Sequence, residues 1–447
     1  MEKTVIVGAG VAGLTIAYKL ALAGKEVVVL EKENTLGGLT RSFRYNEFIF
    51  DIGPHRFHTD DKEVEELVRE ILASDIQIIE RSSGVWMFGE YFDWPLKRAA
   101  LLRLPFGIMI KAFFDLLSRK KQKSESFEDY IISRYGKTLY RIFFKPYTEK
   151  FLRYDCSQIH SDWAQAGIDR AVIDKRVKMD SLFNVIRSTL LPKPVNTKFI
   201  YPASGGIDVF SNKLGKKILS NKGRIETKAE ITKITHSDNK ITSIEYNGNK
   251  INTDMVIWTA PIPEITNLLK MQNPKMEYLS LVSCNFMIDA STRTKYQWCY
   301  YGGNDISFNR VSIPTLFNDK MAPAGKSGIC VELACMQNDA IWKNPEHLRT
   351  IIENDLVKTG LVKRFNEIID VKFERVLNTY PIYTMEYKER LNNVMSALSK
   401  IKNLKMLGRT GTFWYNNMDH SIKMALDMAR NILESGKDKT KREFYEG

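Results

Sequence analysis

The sequence predicts an α/β fold: a parallel sheet of βαβ units, interrupted by a mainly helical lobe and followed by a mixed or antiparallel second sheet. Three observations predict it. The β-branched run Thr4-Val-Ile-Val7 leads straight into Gly8-Ala-Gly10-Val-Ala-Gly13. A helical pattern over 14–23, closed by Gly24, and a second apolar run, Glu26-Val-Val-Val-Leu30, complete a βαβ unit in about thirty residues. Late in the chain a strand-like stretch at 404–407, a turn at 408–411 and a helix over about 419–434 read as a return to that first sheet.

Between these ends, residues 61–190 read mostly as helices with aromatic-rich insertions. Short strands follow at 231–234, 241–246 and 255–259, with Asn247-Gly248 as a turn signal between the last two. Residues 281–375 read as strands of a second sheet with some helix. The expected organisation is therefore a discontinuous nucleotide-binding domain (1–60, 200–275 and 400–435), a mainly helical lobe (61–199), a β-sheet substrate domain (276–399) and a basic C-terminal tail (436–447).

Composition bounds the function. At 447 residues, 44% hydrophobic and 27% charged, the chain exceeds what one core supports and has the make-up of a soluble globular protein. The net charge of +13 comes from basic residues spread along the chain, with short clusters at 119–123, 213–217 and 437–442. These read as solvated helix ends and a basic tail. A functional reading is attraction of a nucleoside diphosphate or weak contact with an anionic membrane surface. No nucleic-acid-binding motif accompanies the charge, so no nucleic-acid partner is expected. The five cysteines (156, 284, 299, 330 and 335) are odd in number and include no CxxC, so buried free thiols are expected rather than disulfides or a metal site. The chain starts Met-Glu-Lys before a strand, and its longest apolar stretch, 104–117, is broken by Lys111. The expectation is a cytoplasmic protein without a signal peptide or an integral membrane segment.

The glycine motif carries the first chemistry. Gly8 allows the tight turn, Gly10 lets backbone amides flanking Val11 and Ala12 approach a pyrophosphate, and Gly13 lets helix and strand pack. Glu31, followed by Lys32, is placed to accept from ribose hydroxyls. NAD and FAD both remain open at this point. The next stretch, Asn34-Thr-Leu-Gly-Gly-Leu-Thr-Arg-Ser42, resembles FAD oxidases and mutases, with Gly38, Leu39, Thr40 and Arg41 approaching the flavin diphosphate.

Asp51-Ile-Gly-Pro-His-Arg-Phe-His-Thr59 resembles the UDP-galactopyranose mutase family, within the broader amine oxidase and protoporphyrinogen oxidase superfamily. That resemblance implies a Rossmann-like FAD domain of the GR2 type, with Pro54, His55 and His58 beside the isoalloxazine ring and Ile231 among the cofactor contacts. Gly136-Lys-Thr-Leu-Tyr-Arg-Ile-Phe-Phe-Lys-Pro-Tyr-Thr-Glu-Lys150 resembles the mutase helix leading into the substrate lobe, and implies a substrate role for Tyr147. Phe151 and Leu152 stand where the mutases soon place a Trp on the nucleotide, which leaves the base undefined. By the same resemblance Arg170 and Arg310 grip the substrate diphosphate, Asn309 lies beside them, and Tyr380 and Tyr383 belong to a diphosphate-reaching Tyr-Pro segment. The closing Gly408-Arg-Thr-Gly-Thr-Phe-Trp-Tyr-Asn-Asn-Met-Asp-His-Ser421 implies Arg409 on the FAD diphosphate. It also implies Met418, Asp419, His420 and Ser421 at the flavin pyrimidine edge, and Tyr415 and Asn416 facing substrate or flavin. Asp419 doubles as a helix N-cap.

The function so implied is pyranose/furanose interconversion of a nucleoside-diphosphate sugar, with UDP-galactose not assumed, by reduced-flavin N5 attack on the anomeric carbon. A reductant such as NAD(P)H or a flavodoxin-type donor is then a partner, and an oligomer is left open. The alternative is an FAD-dependent oxidoreductase of the amine oxidase or protoporphyrinogen oxidase kind, which needs an apolar pocket that the aromatic-rich 86–144 could supply. A third reading is a non-catalytic, FAD-stabilised partner protein.

Overall fold

The computed structural model describes residues 2–94, 103, 105–118, 125–164 and 198–435. Arg170, the tail 436–447 and the basic clusters at 119–123 and 437–442 lie outside the described residues. β1 (Lys3–Val7), α1 (Val11–Leu22) and β2 (Glu26–Leu30) form the expected βαβ unit. β1 lies at the centre of a five-stranded, all-parallel sheet. Met255–Trp258 and then Leu404–Met406 flank it on one side, and β2 and then Arg224–Glu226 on the other. Past their first residues the three inner strands, β1, β2 and Met255–Trp258, are buried, which is why they read as continuous apolar runs. One face is covered by α1 together with helices Asp208–Ser220 and Met418–Ser435.

Ile231–Ser237, Lys240–Tyr246 and Asn249–Asn252 form a three-stranded antiparallel sheet. Asn247 and Gly248 join the last two with φ of 47° and 76°, the two left-handed residues of a tight hairpin turn. The turn signal is therefore answered by a strand immediately after it, one the alternation pattern missed.

The second sheet has seven strands, in the order Ile368–Pro381, Tyr278–Ile288, Ser327–Cys335, Arg310–Ser312, Trp298–Tyr301, Ser83–Met87 and Glu90–Asp93. All neighbours are antiparallel except Trp298–Tyr301 with Ser83–Met87. Two of these strands, together with Gln77–Glu80, come from the region expected to be mainly helical. Their residues alternate too briefly to outweigh the neighbouring helical pattern, and only pairing with distant segments fixes them as strands. The same region also holds the helices Lys62–Leu72, Phe106–Ser118, Phe127–Tyr135 and Lys145–Leu152. All five cysteines are buried and unpaired. Among the described residues, no helix is long and apolar enough to cross a membrane.

Candidate functional site

A cavity of ≈ 680 Å³ runs from the glycine turn after β1 to the near edge of the seven-stranded sheet. Its first end is backbone. Gly8 has φ +99°, and a Cβ there would collide with the Thr259 hydroxyl; a Cβ at Gly13 would collide with the Gly8 carbonyl oxygen. A Cβ at Gly10 would meet no protein atom, because that position faces the cavity. Gly37, at φ +108°, bridges to Gly10, so the second glycine pair lays another stretch of backbone over the same opening. Glu31 is buried and accepts from the Ala9 N–H at 2.7 Å and the Glu33 N–H at 2.9 Å. Each carboxylate oxygen keeps a lone pair for a further donor. Val11, Ala12, Lys32, Gly38, Leu39, Thr40, Arg41 and Ile231 also line this end.

The middle of the cavity meets the N-terminus of helix Met418–Ser435. Asn416, Met418, Asp419 and Ser421 line it, and the Ser421 hydroxyl donates to Asn416 Oδ1 at 3.0 Å. The helix begins at Met418, so Asp419 lies within its first turn rather than at the N-cap. His420 does not line the cavity; its ring lies edge-on to Trp414 at 5.5 Å. Arg409 packs its guanidinium on Tyr380 at 4.4 Å and on Tyr415 at 4.6 Å. Its Nη1 donates to the Asn416 carbonyl at 3.1 Å, while Nε and Nη2 are shut off from solvent without a partner.

The far end is built on the histidine loop. Pro54, His55 and His58 line it. Burial first, then the Arg310, Arg409 and Arg56 charges, push the His55 imidazole down to about 3, so it is neutral near pH 7. His58 sits nearer the surface, with Nδ1 3.4 Å from the Lys198 carbonyl oxygen. Arg310 and Glu332 face each other across adjacent strands, and Glu332 accepts from Arg310 Nε and Nη2, both at 2.6 Å. Nη2 also donates to the Tyr380 hydroxyl at 3.1 Å. Gly53, at φ +72°, lies against this pair: a Cβ there would be 2.7 Å from Glu332 Oε1. The histidine loop is thus seated directly on the ion pair.

Three expected substrate residues stand behind the wall rather than in it. Tyr383 accepts from the Tyr415 N–H at 2.8 Å. Asn309 is buried, and its Oδ1 accepts from the Ala334 N–H at 3.1 Å. Tyr147 packs against Phe151 and Tyr300, and Tyr300 reaches the cavity. Lys150, from the same motif, donates to the Gly303, Ile306 and Phe308 carbonyls at 2.7–3.0 Å, which fixes the loop leading to Arg310. Arg56, Arg81 and Tyr300 line the cavity without having been nominated. The position of Arg56 inside the histidine motif was a signal for it; nothing local marked Arg81 or Tyr300.

The shape and donors fit a long dinucleotide with a diphosphate at its middle: a backbone turn at a helix N-terminus, a buried ribose acid, an arginine with unused donors and a second helix N-terminus. A family profile described as "Flavin containing amine oxidoreductase" matches residues 11–322. Over 87 residues the chain is 38% identical to L-amino acid oxidase Cdc18 of Crotalus durissus cumanensis, a match covering 20% of this chain and 18% of that protein. It is 30% identical over 166 residues to a probable UDP-galactopyranose mutase of Klebsiella pneumoniae, covering 33% of this chain and 40% of that one. A crystal structure of reduced UDP-galactopyranose mutase superposes with a TM-score of 0.84 over 98% of this chain and 97% of that one, at 20% identity.

Proposed function

The chain belongs to the flavin containing amine oxidoreductase family and its cofactor is FAD; from that premise we propose that it is a sugar-nucleotide mutase interconverting pyranose and furanose forms. The observation that carries this reading is the far end of the cavity. Arg56, Arg81 and Arg310 meet there with tyrosine hydroxyls, a lining suited to an anionic leaving group and poorly suited to an apolar one. Likeness of fold to the mutase supports the reading, although one fold hosts many reactions.

The chain's own groups divide the work. The turn at 8–13 and the N-terminus of α1 hold the FAD diphosphate, Glu31 the ribose, and the N-terminus of Met418–Ser435 the pyrimidine edge, where its dipole favours negative charge. Reduced FAD, when bound, supplies a nitrogen nucleophile for an anomeric carbon. The unmatched positive charge of that end holds the diphosphate that departs and returns, keeping it within reach rather than losing it to water. Tyr380, accepting from Arg310, keeps its own O–H free to donate to that anion. His55, neutral, can hold a proton on one ring nitrogen and accept at the other without adding charge beside the cofactor.

The test is direct. The chemically reduced protein is incubated anaerobically with a panel of nucleoside-diphosphate hexoses, and ring forms are followed by NMR. Isomerisation without net oxidation is expected; turnover that appears only with an electron acceptor would overturn the reading. That second outcome is the oxidoreductase alternative, favoured by the oxidase-like segment and the family profile.

A further inference from the structure

Of the two arginines expected to supply the positive charge of the substrate end, Arg170 lies outside the described residues and Arg310 is already neutralised, with two nitrogens committed to Glu332. Two other arginines are not. Arg56, from the histidine loop, lays its guanidinium over Trp298 at 4.6 Å and Phe199 at 5.0 Å. Arg81, just before strand Ser83–Met87, approaches the same Trp298 ring at 5.4 Å. Ser83 and Trp298 are register partners, so the sheet itself places Arg81 beside that indole. Arg56 Nη1 donates to the Pro54 carbonyl at 2.9 Å and Arg81 Nε to the Ser83 hydroxyl at 3.0 Å. Arg56 Nε is shut off from solvent without a partner. Among the described residues neither arginine has a carboxylate within ion-pair distance, and both line the cavity.

Two guanidinium groups held against one indole, without a counter-charge, repel each other in a partly dehydrated place. The strain shows in Arg56, whose pKa burial, Arg81 and Arg310 lower to about 10, still charged at pH 7. A structural role gives no reason for such an arrangement, because an ion pair or an apolar side chain would fill the space more cheaply. An arriving oxyanion relieves it: each planar fork matches two oxygens of a carboxylate or phosphoryl group, and Trp298 holds both forks in place.

We propose that Arg56 and Arg81, seated on Trp298, form an oxyanion subsite that takes an anionic group of the substrate, and that they carry the charge recognition that Arg310 cannot. This rests on the far end of the cavity being the substrate's, as in the mutase reading above. The shared chemistry is an oxyanion with two or more accessible oxygens. Its source is either the glycosyl diphosphate or a carboxylate borne by the sugar.

The experiment uses the FAD-loaded protein and its Arg56→Gln and Arg81→Gln variants, titrated calorimetrically with inorganic pyrophosphate, UDP-glucose and UDP-glucuronate. The wild-type protein binds pyrophosphate, and each substitution weakens that binding by about 10-fold or more, as loss of a charge-assisted bidentate contact does. The flavin spectrum stays unchanged and the ligand-free melting temperature is equal or higher, because a repelling cation has gone. Arg56→Lys recovers part of the affinity. Equal losses for the two sugar nucleotides place the diphosphate on the subsite; a larger loss for UDP-glucuronate places the sugar carboxylate there. If pyrophosphate binding depends on Arg56 and Arg81 while the reduced protein isomerises no member of the nucleoside-diphosphate hexose panel, the subsite stands and the mutase reading falls. Unchanged affinity in both variants, or no binding of any probe by the wild type, overturns the subsite.

Discussion

Burial and three neighbouring guanidinium groups take the His55 imidazole from an ordinary 6.5 down to about 3. The unfolded chain therefore binds a proton at this position between those values and the folded chain does not. Stability from this residue is fully present above pH 6.5 and is lost as pH falls toward 3, by up to about 1.4 kcal/mol per unit. His55→Gln should flatten the fall of unfolding free energy between pH 6.5 and 5, measured by urea titration; parallel profiles would rule out the buried, cation-facing environment. The Arg310–Glu332 pair gives a second expectation. Arg310→Ala leaves Glu332 buried without its partner and should cost about 3–5 kcal/mol in stability, whereas Arg310→Ala combined with Glu332→Gln should recover much of it. Equal stability of the single and double variants would contradict the pairing. The sequence nominated both His55 and Arg310, but not their states. Those depend on Glu332 and Arg409, hundreds of positions from the histidine loop, which no local pattern connects to it.

At the scale of the element, the strand–turn–helix at 3–22 separates two uses of glycine. Gly13 has no room for a Cβ, because the Gly8 carbonyl oxygen occupies that space; Gly10 has room on the protein side and opens to the cavity. Gly13→Ala should therefore destabilise the protein with or without cofactor. Gly10→Val should leave the melting temperature of the FAD-free protein within about 2 °C, since no contact is lost, yet abolish FAD retention through gel filtration. Retention of FAD by Gly10→Val would place the dinucleotide elsewhere. This unit was fully legible because its signals are local: β-branched runs, spaced glycines and a terminal acid. The Asn247-Gly248 turn was legible for the same reason. Strands Ser83–Met87 and Glu90–Asp93 were not, because a short aromatic alternation is stabilised as strand only by its partners, here Trp298–Tyr301 on one side. Missing them also hid Arg81, whose place beside Trp298 follows from that pairing.

For the whole molecule, the cavity joins the parallel sheet to the seven-stranded sheet, with His55, Arg310 and Arg409 drawn from three distant parts of the chain. FAD bound across that junction should stabilise it by mass action, about 2.7 kcal/mol at a free concentration 100 times Kd. Thermal unfolding of the FAD-free protein should accordingly begin several degrees lower and recover on adding FAD, and an unchanged melting temperature would argue against a cofactor spanning both sheets. The sequence by itself determined the cofactor-binding unit and the return of the chain to it, since periodicity, glycine spacing and a terminal acid act within a few residues of one another. Only the tertiary structure decided the charge state of the substrate end: which arginine is matched by a carboxylate, which two are left facing the cavity, and why a histidine among them stays neutral. Charge and desolvation depend on distance in space, and a linear sequence records that distance only where the chain happens to be its own neighbour.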